Sequence, residues 1–191
     1  EKPVLTNVPG TEANIVGFSR SNYCEISDFT IRGEFPLSPT AGIQVAGHWS
    51  SGTSSNITIR NCEISHCYNG VRVLPGVTEV NTVTITDCVI HHIEEDGVFV
   101  LDTDNFSCIN THIYHVNLDY FFECKDPSCA SGDGIHLTGD CDNFLIDNCI
   151  IDRRFTGFKF CFIHNSNDGG YGNDGIIRDC TFYPAKDSVG L

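Results

Sequence analysis

The chain has 191 residues and a formal net charge of −14, with 25 acidic against 11 basic side chains. That length supports one sizeable core. The charge excludes nucleic acid and anionic membrane as partners, since both need a basic surface, and no apolar run is long enough for membrane insertion.

In chain order, residues 1–21 read as an incomplete first coil or a cap, punctuated by Pro3, Pro9 and Gly10. From there one short pattern returns. Ile26-Ser27-Asp28-Phe29-Thr30-Ile31 is a loose copy, and Ile59-Arg60-Asn61-Cys62-Glu63-Ile64 and Ile85-Thr86-Asp87-Cys88-Val89-Ile90 are close ones. Cys108-Ile109-Asn110-Thr111-His112-Ile113 is loose again, before Ile146-Asp147-Asn148-Cys149-Ile150-Ile151 and Ile177-Arg178-Asp179-Cys180-Thr181-Phe182. A glycine-led strand follows each of the first five: Gly42-Ile43-Gln44-Val45, Gly70-Val71-Arg72-Val73, Gly97-Val98-Phe99-Val100, Gly134-Ile135-His136-Leu137 and Gly157-Phe158-Lys159-Phe160; the sixth is cut short at Gly190-Leu191. Strands this short cannot bury an apolar face alone, so each unit needs copies above and below it.

The coils open at Asn22, Asn56, Asn81, Asn105, Asn143 and Asp174. A loop in the first holds Trp49, a lid on the core or a platform for a sugar ring. The fourth carries an insertion, residues 117–131, with Tyr120, Phe121 and Phe122, and a glycine-rich loop at 165–173 follows the fifth. Asp28, Asn61, Asp87, Asn110, Asn148 and Asp179 fall in one column at the bend, where Asn and Asp tolerate a left-handed backbone and can bond along the stack in buried hydrogen bonds. Their spacings of 33, 26, 23, 38 and 31 residues, by subtraction, suit strands of fixed length joined by variable loops. The expected fold is all-β, a single parallel β-helix over residues 1–191 with about six coils, open at one or both ends. Such open edges invite end-to-end self-association or further coils. Glu1-Lys2-Pro3-Val4-Leu5 reads as the interior of such a domain, so the sequence is expected to be a mature or trimmed piece.

There are 11 cysteines. Cys62, Cys88, Cys149 and Cys180 share the column after the bend, where they pack as small hydrophobes or pair across coils, Cys62 with Cys88 and Cys149 with Cys180. Cys124 and Cys129 bracket a loop and suit a local disulfide.

On the quoted repeats, the chain resembles the right-handed parallel β-helix proteins of the pectin-lyase-like superfamily. The resemblance covers roughly residues 22–191 and implies a polysaccharide ligand along the outer face of one sheet, in an extracellular or cell-surface protein. It does not extend to the Asp-Asp, Gly-His-Gly and Arg-Ile-Lys motifs of polygalacturonases, which are missing here. The glycine strands are the expected sheet, with Ile43, Val71, Val98, Ile135 and Phe158 inward and Gln44, Arg72, Phe99, His136 and Lys159 outward. Asp96 and Asp133, one step before the glycines, are read into the same outward row. Arg72, Asp96, Asp133, His136 and Lys159 are then the catalytic candidates, and Gln44, Trp49 and Tyr120 the substrate-binding ones.

Two reactions fit that row. β-Elimination needs a base such as His136 or Lys159 and a cation such as Arg72 facing the sugar carboxylate. Glycoside hydrolysis needs two carboxylates, and Asp96 and Asp133 stand about 5 Å apart by strand spacing, near the retaining separation. A non-catalytic structural or adhesive solenoid is the reading from another class. Two further columns could hold metal: Asp102, Asp104, Asp140 and Asp142 at one bend suit Ca²⁺, and His66, His92 and His115, with Arg153 next, stack imidazoles that could take a transition metal.

Overall fold

The computed structural model describes residues 1–7, 13–33, 40–47, 52–116, 132–152, 159–164 and 174–183, with the backbone alone described at 159–162 and 164. Trp49, Tyr120, the 117–131 insertion with Cys124 and Cys129, Arg153, Gly157 and Phe158 lie outside the described residues. The strands are β1 (Val4–Thr6), β2 (Val16–Ser19), β3 (Asn22–Ser27), β4 (Thr30–Arg32), β5 (Ala41–Ala46), β6 (Ser54–Arg60) and β7 (Glu63–Cys67). Next come β8 (Asn69–Leu74), β9 (Val80–Thr86), β10 (Val89–Ile93), β11 (Val98–Leu101), β12 (Thr103–Asp104), β13 (Ser107–Ile109) and β14 (His112–Tyr114). The last are β15 (Asp133–Thr138), β16 (Leu145–Asp147), β17 (Ile150–Asp152), β18 (Lys159–His164), β19 (Ile176–Arg178) and β20 (Thr181–Tyr183).

Three parallel sheets result, each collecting one strand per coil. Their orders are β1-β4-β7-β10-β14-β17-β20, β2-β5-β8-β11-β15-β18 and β3-β6-β9-β13-β16-β19. The protein is therefore a parallel β-helix of about six coils. Among the described residues, no helix is long and apolar enough to cross a membrane.

Backbone conformation at the corners sets where each coil turns. Positive φ, between +49° and +67°, occurs at Tyr23, Asn56, Thr82, Asn105, Asn143 and Asp174, and five residues later at Asp28, Asn61, Asp87, Asn110, Asn148 and Asp179. It recurs after five more at His66, His92 and His115. Asn, Asp and His are the side chains most tolerant of this region, which is why they fill these columns. The side chains of the middle column stand largely in solvent, so its bonds are not the buried ones expected. Asn61 Nδ2 donates to Asp28 Oδ1 at 2.6 Å, Asn148 Nδ2 to Asn110 Oδ1 at 3.3 Å, and Asn110 Nδ2 to Asp87.

Inside, like stacks on like. Ile31, Ile64, Ile90, Ile113 and Ile151 form one fully buried column, each contributing about 1.5–3 kcal/mol by leaving water. The described cysteines, Cys62, Cys88, Cys149 and Cys180 among them, are free thiols. Each of those four donates to a carbonyl two residues back, at 3.3 Å (Arg60), 3.2 Å (Thr86), 3.4 Å (Asp147) and 3.2 Å (Arg178). Thr111 does the same to Ile109 at 3.0 Å. The column is thus a row of short donors satisfying the carbonyls at the bend, and the cross-coil disulfides are not formed.

Close packing explains the glycines. A Cβ on Gly97 would sit 2.6 Å from the Gly134 carbonyl oxygen and 2.6 Å from Ile113 Cγ2, whereas one on Gly17 would meet nothing within 4 Å. Gly97→Ala is expected to cost about 1–3 kcal/mol, the usual penalty of overpacking, and Gly17→Ala less than about 0.5 kcal/mol. Urea denaturation of the two variants checks this; equal midpoints would contradict the register.

Candidate functional site

The sheet of glycine-led strands carries the most concentrated chemistry. Along β5, β8, β11 and β15 the inward residues Ile43, Val71, Val98 and Ile135 are fully buried, while Gln44, Arg72, Phe99 and His136 form one outward column. In backbone register His136 pairs with Phe162 and not with Lys159. Lys159 pairs with Asp133, three positions from the place expected of it, because β18 begins at Lys159.

Asp96 and Asp133 are also placed differently. They are neighbours across coils, as expected, but are only 2% and 1% exposed, so they form the floor of the site and not its outer wall. Alternation is broken at Gly97, where a Cβ would meet the core side chains of Ile113 and Val116, so Asp96 lies on the same side as His136 and is buried beneath it. Asp96 Oδ1 accepts the backbone N–H of Asp133 at 2.7 Å, which ties the two coils at this corner. His136, whose side chain is 21% exposed, covers the pair. Its Nδ1 lies 3.3 Å from Asp96 Oδ2 and 3.8 Å from Asp133 Oδ2. Phe99 meets the same imidazole edge to face, with ring centres 5.1 Å apart.

Beside this floor Glu95 is held by Asn69, whose Nδ2 donates to Oε2 at 3.2 Å. Burial raises the Glu95 carboxyl and the adjacent Asp96 raises it further; the Asn69 bond and the Arg72 charge oppose them. Among the described residues, Arg72 thus places a positive charge near these carboxylates. Among the described residues, Asp96, Asp133 and His136 offer a ligand set for a metal ion, one atom from each lying within 4.8 Å of the others. Asp102, Asp104, Asp140 and Asp142 are not gathered in that way. Asp102 Oδ1 accepts the N–H of Asp140 at 2.8 Å and Asp104 Oδ1 that of Asp142 at 3.3 Å, so these carboxylates tie one turn to the next.

A second polar cluster lies on another sheet, around β7, β10 and β14. His66 and His92 stack with centroids 5.2 Å apart and planes 1° from parallel. The sequence shows their column, which includes His115, but hides its partners His91, Glu63 and Tyr114. Glu63 Oε1 contacts His91 Nε2 at 3.1 Å, His91 Nδ1 contacts His92 Nδ1 at 2.6 Å, and His92 Nε2 contacts His115 Nδ1 at 3.3 Å. Tyr114 stacks on His91 at 5.0 Å.

The matching family model is that of the right-handed β-helix region, over residues 14–190, and the chain belongs to that family. No curated protein matches. Among solved structures, the chain is similar to the crystal structure of alginate lyase from Paenibacillus sp. str. FPU-7, with a TM-score of 0.53 and 14% identity. The match covers 81% of this chain and 47% of the lyase, so this chain spans about half of that protein's length. At that identity the likeness is one of fold.

Burial lowers the pKa of His66, His92 and His115, and neighbouring cationic or imidazole groups lower each further; for His92 the value falls to about 4. The unfolded chain therefore binds more protons than the folded one between about pH 6.5 and 4, and stability falls as pH falls through that window. In metal-free buffer the melting temperature is expected to drop from pH 7 to pH 4.5, and to drop less in His92→Asn. An identical pH dependence in both proteins would contradict this account of the cluster.

Proposed function

We propose that this β-helix acts on a polysaccharide lying along the Gln44–Arg72–Phe99–His136 column, and that it works outside the cell or at its surface. The carrying observation is the contact between His136 Nδ1 and the buried Asp96 carboxylate at 3.3 Å. A carboxylate on one nitrogen fixes the tautomer and orientation of an imidazole and leaves the other nitrogen to exchange protons. Asp96 and Asp133 are too deeply buried to stand astride a glycosidic bond, which favours elimination over retaining hydrolysis. In elimination, His136 takes the C5 proton next to a uronate carboxylate, the C4–C5 double bond forms as the C4–O glycosidic bond breaks, and the departing oxygen takes its proton from the resulting imidazolium or from water. Arg72, two coils and about 10 Å away by strand spacing, neutralises that or a neighbouring carboxylate. Phe99 between them offers an apolar ring for a sugar face. The alginate lyase that shares the fold is consistent with an acidic sugar polymer as substrate.

Self-association is a second reading, favoured by the coil of β19 and β20. Ile177 and Phe182 there are 43% and 38% exposed, although Ile146 and Ile151 in the same columns are fully buried.

The test is a panel of acidic and neutral polysaccharides, read by absorbance of unsaturated products and by new reducing ends. His136→Ala is expected to lower turnover by about 10²–10⁴-fold, the usual worth of a positioned acid–base group, and to lower the melting temperature of a still-folded protein, because it uncovers the buried Asp96 and Asp133. Arg72→Gln should act mainly on KM. Asp133→Asn is expected to destabilise as well as inactivate, because its carboxylate is buried. No turnover on the whole panel, together with filaments that form in light scattering and survive in His136→Ala, would overturn the enzymatic reading in favour of the structural one.

A further inference from the structure

The histidine cluster between β7, β10 and β14 is separate from the proposed sugar-binding column, lying on a different sheet. Its proton arrangement follows from one carboxylate. Glu63 Oε1, 3.1 Å from His91 Nε2, accepts a hydrogen bond, so the neutral His91 carries its proton on Nε2. His91 Nδ1 is then an acceptor, and His92, 2.6 Å away, must donate through Nδ1. That leaves His92 Nε2 with a lone pair, and it faces His115 Nδ1 at 3.3 Å. One mobile proton bridges this last pair.

A cation can take that proton's place when His115 shifts to the tautomer that carries its proton on Nε2. Two imidazole nitrogens bound to one tetrahedral ion at about 2.0–2.1 Å lie about 3.3 Å apart, which matches the His92–His115 separation. Ligating histidines usually donate their other ring N–H to a carboxylate, which fixes the tautomer and raises basicity. Here His92 Nδ1 donates to His91, and His91 in turn donates to Glu63. We propose that His92 Nε2 and His115 Nδ1 form a binding site for a borderline divalent transition-metal ion such as Zn²⁺, with Glu63 and His91 as its outer supports.

The surroundings agree with this assignment. Imidazole ligands select Zn²⁺, Ni²⁺ or Cu²⁺ over Ca²⁺ and Mg²⁺, which prefer oxygen. Among the described residues, the groups facing the pair include His66, His91, Tyr114 and Asp152, with Arg32 also acting on His66 and His92; Asp152 supplies negative charge toward His115. Both histidines are held below their ordinary pKa, so at neutral pH a metal competes with few protons. Remaining coordination positions are left to water or an added ligand.

Zn²⁺ titrated calorimetrically into chelator-treated full-length chain tests the site, with Co²⁺ absorption reporting coordination. Saturable binding of one equivalent is expected, weakened at least about 100-fold in both His92→Asn and His115→Asn. Asn is chosen because it keeps the left-handed backbone at both turns, and melting curves check that each variant is folded. Glu63→Gln should weaken binding about 10–100-fold, the usual worth of an outer partner, and His136→Ala should leave it intact. Absence of saturable binding would mean a hydrogen-bonded relay only and would overturn the proposal. So would affinity unchanged in a folded His92→Asn/His115→Asn protein, or binding lost in His136→Ala instead, which would move the metal to the Asp96 pocket.

Discussion

Stacking in register is the constraint on which everything else in this protein depends. Each coil closes because its corners hold a left-handed backbone, and those corners recur at intervals of five residues. Such a conformation costs most side chains about 1–2 kcal/mol, so the corner positions fall to Asn, Asp and His, which tolerate it best. Once the corners are fixed, each strand lies over the strand of the previous coil. Identical positions then meet, Ile on Ile within and polar side chains in rows without. The exceptions are Tyr23, in the edge strand β3 next to Asn56, and the β-branched Thr82, held between the corners of the coils on either side.

The same register builds the polar clusters. Asp96 and Asp133 are 37 positions apart by subtraction yet adjacent in space, because a long insertion separates their coils without shifting the strands. Gly97, next to Asp96, admits the Gly134 carbonyl and Ile113, so that corner is tight, and both carboxylates there are buried. His136, one outward step along β15, is left to cover them. On the other sheet, the third corner column brings His66, His92 and His115 one above another, and β10 adds His91 beside them.

Much of the architecture was legible in the chain itself. The Ile-x-Asn/Asp-Cys copies fixed the coil register, and the glycine strands identified the sheet with the polar column. Both signals survive variable loops because the five-residue spacing of the corners does not change. Burial of the site was less legible. The outward row shows the side on which Asp96 stands but not its depth, because the Asp133 amide and the His136 ring that cover it come from the next coil. Lys159 was misplaced because Gly157 mimics the glycine of earlier coils while the strand itself starts two residues later. The acidic turn at Asp102 and Asp140 looked like a cation site, since sequence cannot distinguish a carboxylate that binds metal from one that accepts an amide of the next coil. Nor could it show that Glu63, 28 positions before His91, is its partner.

The proposed place for a polysaccharide is the outward column over the Asp96–Asp133 floor. A crystal structure of the chain with an acidic oligosaccharide, at saturating concentration, tests it most directly. The account predicts sugar rings running along Gln44, Arg72, Phe99 and His136, with a uronate carboxylate toward Arg72 and the ring carbon bearing the labile proton facing His136. An oligosaccharide bound on another sheet, or crossing the column without approaching His136, would contradict it.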